Sequence, residues 1–357
     1  MSMTTRALLS AACVSALGAA LAATPVQASP AEYVALGDSF SAGTGTFARA
    51  DACYRSPLGY PALIAETQGL ALDYQACSGA ETADVLADQL DTLDGGTAYV
   101  SMTIGGNDVG FAGVITQCAL PGWISDCDGA VDDSLEVLRT ELPDRLDTVY
   151  GEIGERAPNA QVAVAGYPLL FNGRDCSLLT FFSGREMTRL NAGTAELDEL
   201  IEERATGAGF SYVEVRDDFA GHAVCDRPAW VNNLSLPIDE SFHPNRAGNQ
   251  GYAAALAPQL TGVPLTAAEL TAANGTGSPS ATDGSTGSKG AGVREQARTV
   301  LTMDLASEQN LRRAQRQGVD RDRVEGAVAK LRSADERVVL SGLRELHTLD
   351  AQFSAGG

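Results

Sequence analysis

Tyr33-Val34-Ala35-Leu36-Gly37-Asp38-Ser39-Phe40-Ser41-Ala42-Gly43 opens as a short β-type run, stops at a glycine and turns at once into small and polar residues. The same form recurs downstream. Ala98 to Ile104 is a second run, stopped by Gly105-Gly106, and Gln161 to Ala165 and Ser211 to Val215 are a third and a fourth. Between these runs the apolar spacing changes to three and four residues. Leu138, Leu142, Leu146, Val149 and Ile153 mark one helix over Leu135 to Ile153, and Leu190, Leu197, Leu200 and Ile201 mark another over Met187 to Ala205. Strands that alternate with helices predict a three-layer α/β/α domain around a parallel sheet, with ligands at the carboxyl ends of the strands.

The chain has 357 residues, 44% hydrophobic and 20% charged, with a formal charge of −21. That acidity excludes nucleic acid as a partner and favours solubility over adsorption to anionic lipid. The first 28 residues read as an export signal: Arg6, an apolar run from Ala7 to Ala23, and the small-residue site Val26-Gln27-Ala28. Ser10, Ser15 and Gly18 interrupt the run, which argues against a stable membrane anchor. Removing the signal discards Cys13 and leaves Cys53, Cys77, Cys118, Cys127, Cys176 and Cys225, an even set that reads as three disulfides in an exported protein. Sequence alone does not choose among their connectivities. Sequential pairing closes short segments and is preferred. No Cys-x-x-Cys pair or helical His pair completes a metal site, so no metal and no cofactor are expected.

Residues 29–266 are expected to form the main domain. Residues 271–292 are rich in Gly, Ser and Thr and read as a flexible linker. Residues 293–357 turn charged and helical, with apolar positions such as Val300, Leu305, Leu311, Val328, Leu343 and Leu346. They read as a helical appendage, either without chemistry or docking to an unknown partner.

A serine hydroxyl needs a base within hydrogen-bonding reach and donors for the oxyanion that forms when it attacks an acyl carbon. Ser39 follows the first strand directly, although Asp and Ser in that place are also common helix caps. Ser41 is the rival nucleophile, two residues further on. Ile104-Gly105-Gly106-Asn107-Asp108 brings glycines and an amide donor to a second strand end, and Cys77-Ser78-Gly79-Ala80 is a glycine turn opening a helix, where free N–H groups gather. Only His222, His243 and His347 can supply a base. His347 lies beyond the linker, and His243, just before a helix start at Ala247, is favoured over His222.

These blocks, in this order, resemble the GDSL or SGNH hydrolase superfamily, and within it secreted actinobacterial esterases and lipases. The likeness spans about Tyr33 to Pro264. It implies a flavodoxin-like fold and a secreted, monomeric serine esterase or lipase acting on lipids or small acyl esters, with Ser39 as nucleophile and His243 as base. The N–H groups of Ser39 and Gly79 and the Asn107 amide would form the oxyanion hole. The cysteine layout is similar as well and supports the pairs Cys53–Cys77, Cys118–Cys127 and Cys176–Cys225. A phospholipase or a carbohydrate O-deacetylase on the same site are the alternatives, and an inactive binding module the more distant one. One position departs from the pattern: Glu240 stands where the family's Asp precedes the histidine by three residues, and Asp239 stands one place earlier. The group that orients His243 is therefore the Glu240 carbonyl, the Glu240 carboxylate or Asp239.

Overall fold

In the computed structural model, which describes residues 32–276 and 293–356, five strands form one sheet. They are β1 (Glu32–Gly37), β2 (Ala71–Tyr74), β3 (Tyr99–Thr103), β4 (Gln161–Ala165) and β5 (Ser211–Val213). Every pairing is parallel, in the order β2-β1-β3-β4-β5. This is the doubly wound arrangement expected from the alternation of strands and helices. The topological switch point lies between β1 and β3, whose register runs from Tyr33 opposite Tyr99 to Gly37 opposite Thr103. The two strands thus end level, and the turns after Gly37 and after Thr103 open side by side.

The described residues also hold thirteen α-helices, α1 (Ser39–Ala42), α2 (Tyr60–Gln68), α3 (Thr82–Asp84), α4 (Phe111–Cys118), α5 (Cys127–Thr140), α6 (Leu142–Arg156), α7 (Gly184–Gly207), α8 (Arg246–Thr261), α9 (Ala267–Thr276), α10 (Val293–Thr302), α11 (Glu308–Arg316), α12 (Arg321–Leu331) and α13 (Glu336–Gly356), with a π-helical turn at Val85–Gln89 and a 3-10 turn at Ile238–Glu240. Helices α2 and α8 pack together on the sheet, and α6 and α7 form a second layer on it. Tyr33, Val34, Leu36, Val100, Met102 and Val164 are fully buried between the layers, as expected for parallel strands covered on both faces.

Several expectations are corrected. The apolar period over Leu135 to Ile153 is carried by two helices, which are divided at Glu141, where φ swings to −118° and Pro143, lacking an N–H, lies in the first turn of the next helix. The fourth strand ends at Val213 because its partner β4 ends opposite it at Ala165. Strand β2 was not foreseen, being four residues long and carrying Asp73. Residues 271–276, read as linker, continue α9; residues 277–292 and the signal segment 1–28 lie outside the described residues.

The C-terminal helical region is present and packs against the main domain. Ala297, Val300, Leu305, Leu311, Val328, Leu343 and Leu346 share a buried core with Trp123, Ile124, Leu179 and Phe181 of the main domain. His347 stacks on Phe181 with ring centroids 4.5 Å apart, Asp350 accepts from the Gly122 N–H at 2.6 Å, and Arg313 donates to the Ser125 carbonyl at 3.1 Å. Disulfides join Cys53 to Cys77, Cys118 to Cys127 and Cys176 to Cys225.

Candidate active site

The turn after β1 is a one-turn helix. Asp38 caps it, accepting from the Phe40 N–H at 2.9 Å, and Gly43 closes it in the left-handed region. The cap and the candidate nucleophile, Ser39, are therefore neighbours in the chain. The Asp38 carboxylate also accepts from the Thr103 hydroxyl at 2.7 Å and from the Tyr167 hydroxyl. Burial pushes its pKa up to about 6, against the pull of those donors. Ser41 is excluded as nucleophile: it is fully buried, and its Oγ bonds the Tyr60 hydroxyl, the Thr103 hydroxyl and the Thr103 N–H at 2.8, 2.8 and 2.9 Å.

Ser39 Oγ lies 2.8 Å from His243 Nε2. Of the other histidines, His222 stacks on Trp230 and bonds the Pro228 carbonyl, and His347 sits in the C-terminal core contact. The backbone behind His243 presses on Gly45: a Cβ there would meet the Pro244 carbonyl oxygen at 2.4 Å and His243 Cβ at 2.8 Å, with φ at +100°. Only glycine fits.

Neither acidic residue orients the imidazole through its side chain. His243 Nδ1 bonds the Ser241 carbonyl at 2.8 Å. The buried Glu240 carboxylate instead accepts from the N–H groups of Gly45 and Phe47 at 2.6 and 3.2 Å, and the Glu240 carbonyl accepts from the Asn232 amide. Asp239 takes the Tyr54 hydroxyl at 2.7 Å. Glu240 thus ties the loop after α1 to the histidine segment, and a backbone carbonyl one residue beyond the expected one fixes the ring. Burial lowers the His243 pKa to about 4, with the Ser241 carbonyl and the nearby Asp239 charge opposing that shift. Where a carboxylate orients the histidine, converting it to an amide costs about 10⁴ in turnover; here Asp239→Asn is expected to change kcat by less than about tenfold in steady-state assays. A loss near the larger figure would restore Asp239 to the site.

The expected oxyanion donors converge from three turns. The Ser39 N–H heads α1, where first-turn N–H groups have no helical acceptor. Gly79 adopts φ +87°, a conformation glycine takes freely, and a Cβ there would touch nothing, so backbone and not space selects the residue. Asn107 Nδ2 donates to the Ala80 carbonyl at 2.9 Å, which leaves its second N–H available. Asp108 fastens the same two turns, accepting from the Thr82 N–H at 3.0 Å and from the Thr82 hydroxyl at 2.5 Å. The disulfide Cys53–Cys77, with the Ser78 N–H on the Cys53 carbonyl at 2.9 Å, holds the Gly79 turn from its other side.

Sequence reasoning missed Tyr167. Its hydroxyl donates to Asp38 and accepts from the Gly106 N–H at 3.2 Å, joining the Ser39 and Asn107 turns. The available signal was Gly166-Tyr167, the glycine that ends a third strand of the same form. Asn249 was missed as well. In α8 it receives the Tyr60 N–H and donates to the Pro244 carbonyl, both at 3.0 Å, tying α2 to the segment that carries His243.

Ser39, Gly79, Asn107 and His243 open onto one cavity of about 710 Å³, lined further by Phe111, Ile115, Leu120, Leu170, Leu179 and Leu234. A reactive polar end and an apolar body suit a ligand with a polar head and a hydrocarbon part.

A model of the GDSL-like lipase/acylhydrolase family matches residues 35–251. Lipase 1 of Streptomyces coelicolor is 41% identical over 249 residues, covering 67% of this chain and 91% of that protein. The solved extracellular lipase of Streptomyces rimosus is 39% identical with a TM-score of 0.60, covering 63% of this chain and 97% of that one. Phospholipase A1 of Streptomyces albidoflavus NA297 is 37% identical, also with a TM-score of 0.60, over 65% of this chain and 98% of that one.

Proposed function

The chain belongs to the GDSL-like lipase/acylhydrolase family and is a carboxylic ester hydrolase, and from that premise we propose that Ser39 and His243 cleave acyl esters through an acyl-serine intermediate. The observation that carries this reading is the 2.8 Å contact between Ser39 Oγ and His243 Nε2 on the lining of a largely apolar cavity. The substrate carbonyl oxygen enters among the Ser39 and Gly79 N–H groups and the Asn107 amide. Ser39 Oγ adds to the carbonyl carbon as its proton passes to His243 Nε2, and the oxyanion takes up the three donors. Collapse breaks the ester C–O bond and expels the alcohol, which leaves with the proton from His243. Water then adds to the acyl-serine, its proton again taken by His243, and the carboxylic acid departs with the serine hydroxyl restored.

The apolar lining supports lipid-type acyl esters over acetylated carbohydrate. Ile238, on the same lining and 52% exposed, offers further hydrocarbon contact at the surface. The similarity to a phospholipase A1 favours phospholipid as one such substrate. Secretion is supported by three disulfides, which persist in oxidising compartments, and by the extracellular S. rimosus relative. No helix among the described residues is long and apolar enough to cross a membrane.

An organophosphonate ester is expected to label Ser39 stoichiometrically, located by peptide mass spectrometry. The base must be neutral, and a lowered pKa extends the neutral range downward. The labelling rate should therefore hold through mildly acidic pH and fall only as the pH approaches about 4. Absence of an adduct would refute the nucleophile, and a fall centred on the ordinary imidazole value would show that His243 is not held as described.

A further inference from the structure

We infer that the C-terminal helices complete the acyl-binding site, with Thr299 and Met303 as the residues that meet the distal part of the acyl chain and set the length accepted. The inference rests on the reading of Ser39 as nucleophile. Its observation is separate: Thr299, Thr302 and Met303 line the same cavity as Ser39 and His243. Thr299 and Met303 are four residues apart, at the C-terminal end of α10 and the residue after it, and so project to the same side.

The wall is built. On the other side of α10, Ala297 and Val300 are buried in the core shared with Trp123 and Phe181, so the helix is held against the main domain while its other face borders the cavity. The same cavity is lined by α4, whose Phe111, Ala112, Ile115 and Thr116 recur at helical spacing, followed by Ala119. The disulfide Cys118–Cys127 anchors the end of that helix. The cavity is therefore lined at one place by the nucleophile and its donors and at others by the faces of α4 and α10, the second of which is there only because residues beyond 292 fold back onto the domain. Helix α10 lies outside the family segment, so this boundary is an addition to the family's core.

The test uses the full-length protein and p-nitrophenyl esters from acetate to palmitate, with a fixed leaving group. Met303→Trp and Thr299→Phe fill the wall; Met303→Ala opens it. A buried methylene is worth about fourfold in transfer, so excluding two or three of them is expected to lower the kcat/KM ratio of long to short esters by roughly 15- to 60-fold in the filling variants. Met303→Ala should move the ratio towards longer chains. Arg298→Ala, on an exposed position of α10, should keep the parent profile. Two filling variants at different positions guard against one that fails to fold, and the anchoring Ala297 and Val300 stay intact in both. Profiles unchanged in all three wall variants, with normal phosphonate labelling of Ser39, would overturn the inference alone. So would a change that follows the alcohol at fixed acyl length, because the wall would then face the leaving group. No labelling and no hydrolysis in the parent would instead overturn the nucleophile reading beneath it.

Discussion

Ser39→Ala is expected to lower kcat on the order of 10⁶-fold and to abolish the phosphonate adduct, while circular dichroism and the thermal midpoint stay those of the parent. The separation of activity from stability follows from the contacts. Among the described residues Ser39 Oγ hydrogen-bonds His243 alone, whereas the turn that presents it is held by Asp38, Thr103, Tyr167 and the Gly43 cap. Alanine suits a first-turn helical position and removes only the hydroxyl. The nearby Ser41 cannot take over, because its hydroxyl is committed to three partners in the interior. Turnover by the alanine variant within about tenfold of the parent, measured with a short nitrophenyl ester, would move the nucleophile elsewhere.

Asn107→Ala is expected to cost about 10²- to 10³-fold in kcat, with little change in KM. The amide donor is worth most when the carbonyl oxygen carries full negative charge, so its loss is felt in the transition state more than in substrate binding. The variant should fold, since the Asp108 carboxylate still fastens the Gly79 turn through Thr82, and the Asn107 bond to the Ala80 carbonyl is partly exposed. Phosphonate labelling should slow in parallel, because that reaction builds the same charge beside Ser39. Near-full turnover would remove Asn107 from the oxyanion hole and leave the two backbone donors as the whole of it.

The proposed donors illustrate why some of the candidate site was legible and some was not. Gly79, Asn107 and Ser39 each stand in a short turn directly after or before a regular element, and such turns carry compositional marks that survive without a structure: a glycine, a small polar residue, the end of an apolar run. Tyr167 and Asn249 carry no such mark. A tyrosine after a strand and an asparagine in a helix are ordinary residues, and they act only through partners far away in sequence, Asp38 for the first and Tyr60 and Pro244 for the second. The orienting group of His243 failed for a related reason. The histidine was read by counting back to an acidic residue, but the local backbone turns so that the Ser241 carbonyl reaches Nδ1, and Glu240 is drawn away to the N–H groups of Gly45 and Phe47.

The helices show the same division. Hydrophobic spacing placed α7 and the paired α5 and α6, because burial on one face imposes a period that can be read locally. It did not show that the period runs across the break at Glu141, since Leu138, Leu142 and Leu146 keep their spacing on both sides of it.

From sequence alone came the parallel sheet, the serine after β1, the histidine that lies beside it and the glycine and asparagine turns on the same cavity, because each of these carries a local mark in the chain. Only the tertiary structure decided what orients His243, which polar residues clamp the Ser39 turn, and that the C-terminal helices border the cavity. Those outcomes depend on which surfaces meet after the chain has folded back on itself, and an amphipathic helix announces that it has an apolar face without naming the surface that will cover it.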